Sequence, residues 1–129
     1  RACPLFVPLV ENGYVNGDKV TQLMIGEYLT PVRDSGIDTL ILGCTHYPLL
    51  KKMIGDFVGD SVTLIDPGKL TAIAAATALD DLGISSGRST GGTTRFFVSD
   101  TPDGFAKQER LFMGSEAGGP VEQIAIETY

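Results

Sequence analysis

Two short apolar runs in the first half of the chain are each followed by a segment with helical spacing of its apolar residues. The runs cover residues 39–42 and 62–65, and the helical segments cover 47–58 and 70–82. Apolarity that is continuous rather than alternating is typical of a strand buried on both faces of a parallel sheet. Because strands alternate with helices, the sequence predicts an α/β fold with a largely parallel sheet.

Other segments extend this pattern towards both ends of the chain. Asp18 is placed to cap a helix over 19–34, and the apolar run 4–10, interrupted by prolines, is compatible with a short edge strand or an extended entry segment. Residues 83–93 are rich in Gly, Ser and Thr and predict a flexible linker. Beyond this linker the pattern predicts a strand over 94–99, a helix over 102–113 and a last strand over 121–128.

The charge of the chain argues against nucleic acid as a partner. Its 129 residues include 16 acidic and 10 basic side chains, for a net charge of −6, and they contain no Lys and Arg cluster of the kind that binds phosphate backbones. A small anionic substrate stays possible, because backbone N–H groups and hydroxyls can hold a carboxylate.

No apolar run approaches the roughly 18 residues of a membrane span. The two cysteines, Cys3 and Cys44, are far apart in the sequence and indicate reduced thiols in a cytoplasmic protein.

The candidate site is the run Gly43-Cys44-Thr45-His46, where a predicted strand ends and a predicted helix begins. In open α/β sheets, ligands bind outside the carboxyl ends of the strands. The free N–H groups at a helix N-terminus favour an anion, either a substrate carboxylate or the Cys44 thiolate itself. His46 could take or relay the thiol proton, and Thr45 adds a hydroxyl and an N–H donor.

Simpler interpretations of these residues stay open on spacing alone. A single cysteine after a strand is more often packed and inert, and a lone histidine is more often a surface or capping residue. A zinc site built from Cys44, His46 and Cys3 is a poor candidate, because the spacing matches no metal finger. A Cys–His protease pair needs an orienting third group and an oxyanion hole, which the sequence does not specify.

Four segments of the chain resemble glutamate racemases. The run LILGCTHYPLL over residues 40–50 resembles the second-cysteine signature of that family, and ACPLFVPLVE over residues 2–11 resembles the segment that precedes it. Two further segments, each followed by a helix, resemble the closing part of the family: Leu64-Ile65-Asp66 and Phe97-Val98-Ser99-Asp100. The resemblance therefore covers essentially the whole chain.

The resemblance implies interconversion of L- and D-glutamate by two thiols, without a cofactor or a metal, to supply D-glutamate for peptidoglycan. In this family one cysteine on each of two α/β lobes serves one face of the substrate. The resemblance makes Cys44 one of these proton-transferring groups and His46 its proton partner and substrate neighbour. Thr45 would bind the substrate carboxylate or ammonium, Glu11 would approach and tune His46, and Cys3 would be structural.

The motifs of the first lobe are absent from the sequence. The family has an early Asp-Ser pair and a Cys-Asn-Thr segment with the other catalytic thiol, and nothing in the chain matches either. Residues 1–70 would then form the second-cysteine lobe, and residues 71–129 would complete a first lobe that is mostly missing. We therefore expect a fragment, as its start at Arg1 also suggests, that is inactive alone. Its expected partner is the amino-terminal half of the same protein or a second copy, as a homo-oligomer.

Two other functions share these features. An aspartate or hydantoin racemase would use the same two-thiol chemistry on another substrate, and a substrate panel would separate it from a glutamate racemase. A binding or regulatory domain could keep the scaffold without catalysis, because fold alone does not fix function.

Overall fold

The computed structural model describes residues 1–114 and 118–128 and divides the chain into two compact units, residues 1–85 and residues 86–129. The boundary between the units lies inside the segment 83–93, where the sequence predicted a linker, and this segment has no helix or strand. Each unit pairs short parallel strands and carries helices, so the predicted α/β class is confirmed.

The first unit contains five helices and two strands among its described residues. In chain order they are α1 (Phe6–Glu11), α2 (Lys19–Arg33), β1 (Thr39–Ile41), a 3₁₀ helix (Tyr47–Leu50), α3 (Lys51–Val58), β2 (Thr63–Ile65) and α4 (Pro67–Asp81). The strands β1 and β2 pair in parallel, with Thr39 opposite Thr63 and Ile41 opposite Ile65. Their carboxyl ends therefore lie side by side at one edge of the sheet.

The expectation of an extended segment over residues 4–10 was wrong, because Phe6–Glu11 forms the α-helix α1. Pro8 is compatible with this helix because the first residues of a helix have no intrahelical acceptor for their N–H groups. The first hydrogen bond to a carbonyl four residues earlier runs from the Leu9 N–H to the Leu5 carbonyl, at 3.1 Å. Phe6 and Val10, one helical turn apart, are both fully buried, whereas Pro8 between them is exposed. A strand would place all three side chains on one face, so this pattern of burial selects the helix.

The helix α2 begins where the sequence predicted. The Asp18 carboxylate accepts hydrogen bonds from the N–H groups of Val20 and Thr21, at 2.9 and 3.0 Å, so it satisfies two of the free donors at the helix N-terminus. Thr21 is fully buried and donates its hydroxyl hydrogen to the Tyr14 carbonyl at 2.6 Å. This bond ties the loop before α2 to the helix.

The core of the first unit lies among α1, α2, α3 and the end of β1. Phe6 is its centre, with ring edges against Tyr28 at 5.5 Å and Tyr47 at 5.3 Å between centroids. The other buried apolar side chains are Cys3, Val10, Ile25, Leu29, Leu42, Leu50, Met53, Ile54 and Val58.

The expectation that β1 is buried on both faces was wrong for this chain, because Ile41 is 64% exposed. Within the part of the chain that the structure describes, this sheet has two strands, and the face that carries Ile41 is exposed. The helix α4 buries none of its residues, and its large apolar side chains Leu70, Ile73 and Leu79 are exposed. These surfaces are apolar and uncovered in the chain as it stands.

The second unit consists of β3 (Phe96–Val98), α5 (Pro102–Met113), β4 (Val121–Gln123) and a 3₁₀ helix (Ile126–Thr128). The strands β3 and β4 are parallel, and Phe96 packs on Phe105 of α5 with 4.9 Å between ring centroids. The helix matches its predicted bounds. The last strand was predicted too long, because it ends at Gln123 and Ile126 is exposed on the 3₁₀ helix.

The buried hydroxyl of Thr21 gives a test of this packing. Thr21→Val keeps the shape of the side chain but leaves the Tyr14 carbonyl without its donor, so we expect a loss of about 1–3 kcal/mol in the free energy of unfolding. Urea unfolding followed by tyrosine fluorescence measures it, because Tyr14, Tyr28 and Tyr47 lie in the first unit.

The matched control is Thr30→Val on the same helix. The Thr30 hydroxyl donates to the Gly26 carbonyl of its own helix at 2.6 Å, an acceptor that the helical backbone already serves. Its loss should cost less than about 0.5 kcal/mol. Equal losses for the two variants would contradict the role assigned to the bond between Thr21 and Tyr14.

Candidate active site

Two tight turns carry the chain out of the sheet at the end of β1. The Leu42 N–H still donates to the Ile65 carbonyl of the β2 strand, at 2.9 Å. The N–H groups of Gly43 and Cys44 then bond to carbonyls only two residues back, those of Ile41 and Leu42, at 3.0 and 2.9 Å. Three-residue turns of this kind are common at strand ends. They place Cys44, which is partly exposed, at the carboxyl end of β1.

The helix after this turn differs from the prediction. The sequence predicted one helix over 47–58, whereas the structure has the 3₁₀ helix Tyr47–Leu50 followed by α3 from Lys51. The Leu49 N–H donates to the His46 carbonyl at 3.1 Å, the three-residue spacing of a 3₁₀ turn. The α-helical N-terminus predicted beside Cys44 therefore lies further along the chain, at α3.

His46 joins two other predicted site residues through its two ring nitrogens. Its Nε2 atom lies 3.1 Å from Oε1 of Glu11, and its Nδ1 atom lies 3.0 Å from Oγ1 of Thr45. The His46 side chain is only 18% exposed, whereas Glu11 is 41% exposed. The structure thus brings Glu11, Thr45 and His46 into one hydrogen-bonded chain beside Cys44.

Glu11 reaches His46 because it is the last residue of α1. Phe6, at the other end of that helix, packs on the ring of Tyr47, the residue that follows His46. The helix and the turn after β1 are therefore in contact at two places. An extended segment over 4–10 would not have produced this double contact, since successive strand side chains point to opposite faces.

Phe6 and Tyr47 support the site, although the sequence alone did not indicate a role for either residue. The Tyr47 hydroxyl donates to the Cys3 carbonyl at 3.4 Å, and the Phe6 N–H donates to the same carbonyl at 3.0 Å. Burial raises the pKa of Tyr47, and the nearby Cys3 thiol adds to this effect. The spacing of Cys3, Phe6 and Val10, by three and then four residues, was the signal that could have revealed α1.

Cys3 and Cys44 are both free thiols in different surroundings. Cys3 is 3% exposed. Burial raises the pKa of the Cys3 thiol, although the amino-terminal charge and a hydrogen bond with Tyr47 oppose the rise. A neutral, enclosed thiol is inert compared with one at the surface.

Within residues 1–114 and 118–128, no group of three or more His, Cys, Asp and Glu side chains is arranged to hold a metal ion. No helix among these residues is both long enough and apolar enough to span a membrane. A groove of about 460 Å³, flanked by α2 and α3, is lined by residues other than the four predicted site residues.

No protein-family model matches the chain. Among curated proteins, it is 43% identical over 127 residues to a glutamate racemase from Geobacter metallireducens, covering 98% of the chain and 46% of that protein. It is 44% identical over 114 residues to a glutamate racemase from Neisseria meningitidis, covering 88% of the chain and 42% of that protein.

Solved structures give the same result for the fold. A glutamate racemase from Francisella tularensis in complex with D-glutamate matches with a TM-score of 0.84 at 33% identity, over 98% of the chain and 47% of that protein. One from Thermus thermophilus in complex with β-chloro-D-alanine matches with a TM-score of 0.84 at 38% identity, over 99% of the chain and 48% of that protein.

The chain spans about half the length of the relatives it matches. The matched half is their carboxy-terminal part. In sequence and in fold, the chain is therefore similar over almost its whole length to the carboxy-terminal part of glutamate racemases.

Proposed function

We propose that the chain is the carboxy-terminal part of an enzyme that interconverts L- and D-glutamate without a cofactor, with Cys44 as one of two proton-transferring thiols. The observation that carries this proposal is the position of Cys44 at the carboxyl end of β1, next in sequence to the hydrogen-bonded chain of Thr45, His46 and Glu11. The similarity to glutamate racemases, one of them bound to D-glutamate, supports the choice of substrate.

Inversion at a carbon atom requires a base on one face and an acid on the other. Cys44, which is partly exposed at the strand end, supplies one of these groups. Cys3 is unsuited to be the other, because it is buried beneath Tyr47 and burial raises its pKa. The second thiol then belongs to an amino-terminal half of the protein.

The three residues around Cys44 have distinct roles in this proposal. His46 exchanges a proton on the Cys44 side of the substrate. Glu11 accepts a hydrogen bond from Nε2 of His46 and offsets the charge when the imidazole is protonated. Thr45, exposed on the turn, contacts the substrate with its backbone N–H and with the lone pairs of its hydroxyl.

The partner proposed for the chain is an amino-terminal half of the same protein. Residues 1–70 would form the lobe that carries Cys44, and residues 71–129 would help to build the other lobe. This division is supported by α4, which begins at Pro67 and leaves Leu70, Ile73 and Leu79 exposed. It is also supported by the open parallel sheets, because parallel strands in proteins are normally covered on both faces. Without that half, a second copy of the chain would cover these surfaces as a homo-oligomer.

In the cell, the proposed product is D-glutamate for peptidoglycan, made in the cytoplasm for cell wall growth and cell shape. This part of the proposal depends on the resemblance to bacterial glutamate racemases. Glutamate is then the expected small-molecule partner, and we expect neither nucleic acid nor membrane to bind.

The two cysteines should differ in reactivity. Iodoacetamide at neutral pH should alkylate Cys44 well before Cys3, because Cys3 is enclosed and burial disfavours its thiolate. Mass spectrometry of tryptic peptides during the reaction measures both rates, and the denatured chain serves as the control in which the two rates converge. Faster alkylation of Cys3 in the folded chain would contradict the assignment.

The chain alone should not racemise glutamate. Mixed with the amino-terminal half of the Geobacter metallireducens relative, it should gain activity, measured by circular dichroism of L-glutamate as it approaches the racemic mixture. Cys44→Ala should abolish that activity, whereas Cys3→Ala should keep most of it and lose only stability. Full activity of the chain alone, or of the Cys44→Ala mixture, would refute the proposal.

His46→Asn should slow one direction of proton exchange more than the other, because His46 lies beside only one of the two thiols. General acid–base assistance is worth about 10²–10⁴-fold, and a loss of that size is expected in one direction only. Deuterium uptake from solvent at Cα, started from each pure enantiomer in the active mixture, separates the two directions. Equal losses would make His46 a residue for binding or structure.

A further inference from the structure

We infer that Glu11 and Thr45 together fix the imidazole of His46 as the tautomer with its proton on Nε2, so that Nδ1 is the nitrogen that takes and returns a proton. Thr45 is then a positioning residue for His46. The catalytic meaning of this inference rests on the proposed function, whereas the tautomer itself is a property of the chain.

The direction of the hydrogen bonds follows from the chemistry of Glu11. The carboxylate of a glutamate at neutral pH has only acceptor oxygens. Its Oε1 atom lies 3.1 Å from Nε2 of His46, so Nε2 must carry the hydrogen of this bond. In the neutral ring the other nitrogen, Nδ1, is then an acceptor.

Thr45 completes the arrangement on the opposite side of the ring. Its Oγ1 atom lies 3.0 Å from Nδ1, and a hydroxyl has one hydrogen to donate and two lone pairs. With Nδ1 as an acceptor, the hydroxyl donates to it. The ring is thus held through both nitrogens, and a ring flip would break both bonds.

The hydrogen bonds of His46 to Glu11 and Thr45 can also form when the imidazole is protonated, without movement of any heavy atom. Because the Thr45 hydroxyl occupies the lone pair of Nδ1, the hydroxyl relays the proton: it gives its own hydrogen to Nδ1 and takes one from the Cys44 thiol, which is left as a thiolate. The hydroxyl oxygen then accepts from Nδ1–H, Nε2–H stays on Glu11, and Glu11 faces the resulting imidazolium. Groups already oriented for both states of a proton transfer lower its reorganisation cost.

The composition of the chain makes the test direct. His46 is the only histidine in the sequence, so the ring signals in the NMR spectrum of the ¹⁵N-labelled chain need no assignment. Correlations between the ring C–H protons and the ring nitrogens distinguish a protonated from an unprotonated nitrogen. In the neutral ring of the unmodified chain, we expect Nε2 to be protonated and Nδ1 to be unprotonated.

Four variants separate the contributions of Thr45 and Glu11 from general effects. Thr45→Val should shift the Nδ1 resonance and leave the proton on Nε2, and Thr45→Ser should restore the Nδ1 resonance of the unmodified chain. Thr39→Val, which replaces another exposed threonine of the first unit, should leave both nitrogens unchanged. Glu11→Gln should accelerate exchange of the Nε2 proton with water and cause loss of its directly bonded signal.

A proton on Nδ1 of the neutral ring would overturn the inference, and so would an Nδ1 resonance that is the same in Thr45→Val and in the unmodified chain. The protonation of Nδ1 is measured in the unmodified chain, so this result tests the inference even if a substitution disturbs the fold. Racemase activity is not measured in this experiment. A mixture of the chain with the amino-terminal half that never racemises glutamate would therefore refute the proposed function and leave the tautomer result valid.

Discussion

The packing of α1 against the turn after β1 is the interaction on which the candidate site depends. Phe6 lies in the core with its ring against Tyr28 of α2 and Tyr47 of the 3₁₀ helix. Because the helix is fixed there, its last residue, Glu11, reaches His46. Removing the Phe6 ring would therefore loosen a polar contact that Phe6 itself does not make, in addition to the loss of about 3–5 kcal/mol typical of Phe→Ala in a core.

A second constraint concerns the exposed apolar surfaces of the first unit. The strands β1 and β2 form backbone hydrogen bonds with each other, and the side chain of Ile41 on β1 is exposed. The alanine-rich helix α4 has no buried side chain within the described part of the chain, and its large apolar side chains are exposed. Exposed apolar surfaces of this kind favour aggregation of an isolated chain, whereas in an assembly they are buried against a partner. They are consistent with a chain about half as long as its relatives.

The sequence predicted elements that depend on local chemistry. The helix α2 was predicted because Asp18 caps it. The helix α5 has its predicted bounds, and in the structure a proline opens it and Gly114 ends it in a left-handed conformation. The errors fall where local signals conflict or where tertiary structure decides. Residues 4–10 contain two prolines, which argued for an extended chain, yet Pro8 fits the first turn of α1. The exposure of Ile41 depends on what covers the sheet, and no local pattern contains that information.

The sequence by itself determined the α/β alternation and the placement of Cys44, Thr45 and His46 on one turn at a strand end, because these features involve neighbouring residues. Only the tertiary structure decided that Glu11 belongs to the same hydrogen-bonded chain. Glu11 and His46 are 35 residues apart, and without the family resemblance Glu11 is an acidic residue before a turn. The contact exists because residues 6–11 form a helix that buries Phe6 and Val10, and a helix of that length ends beside the imidazole.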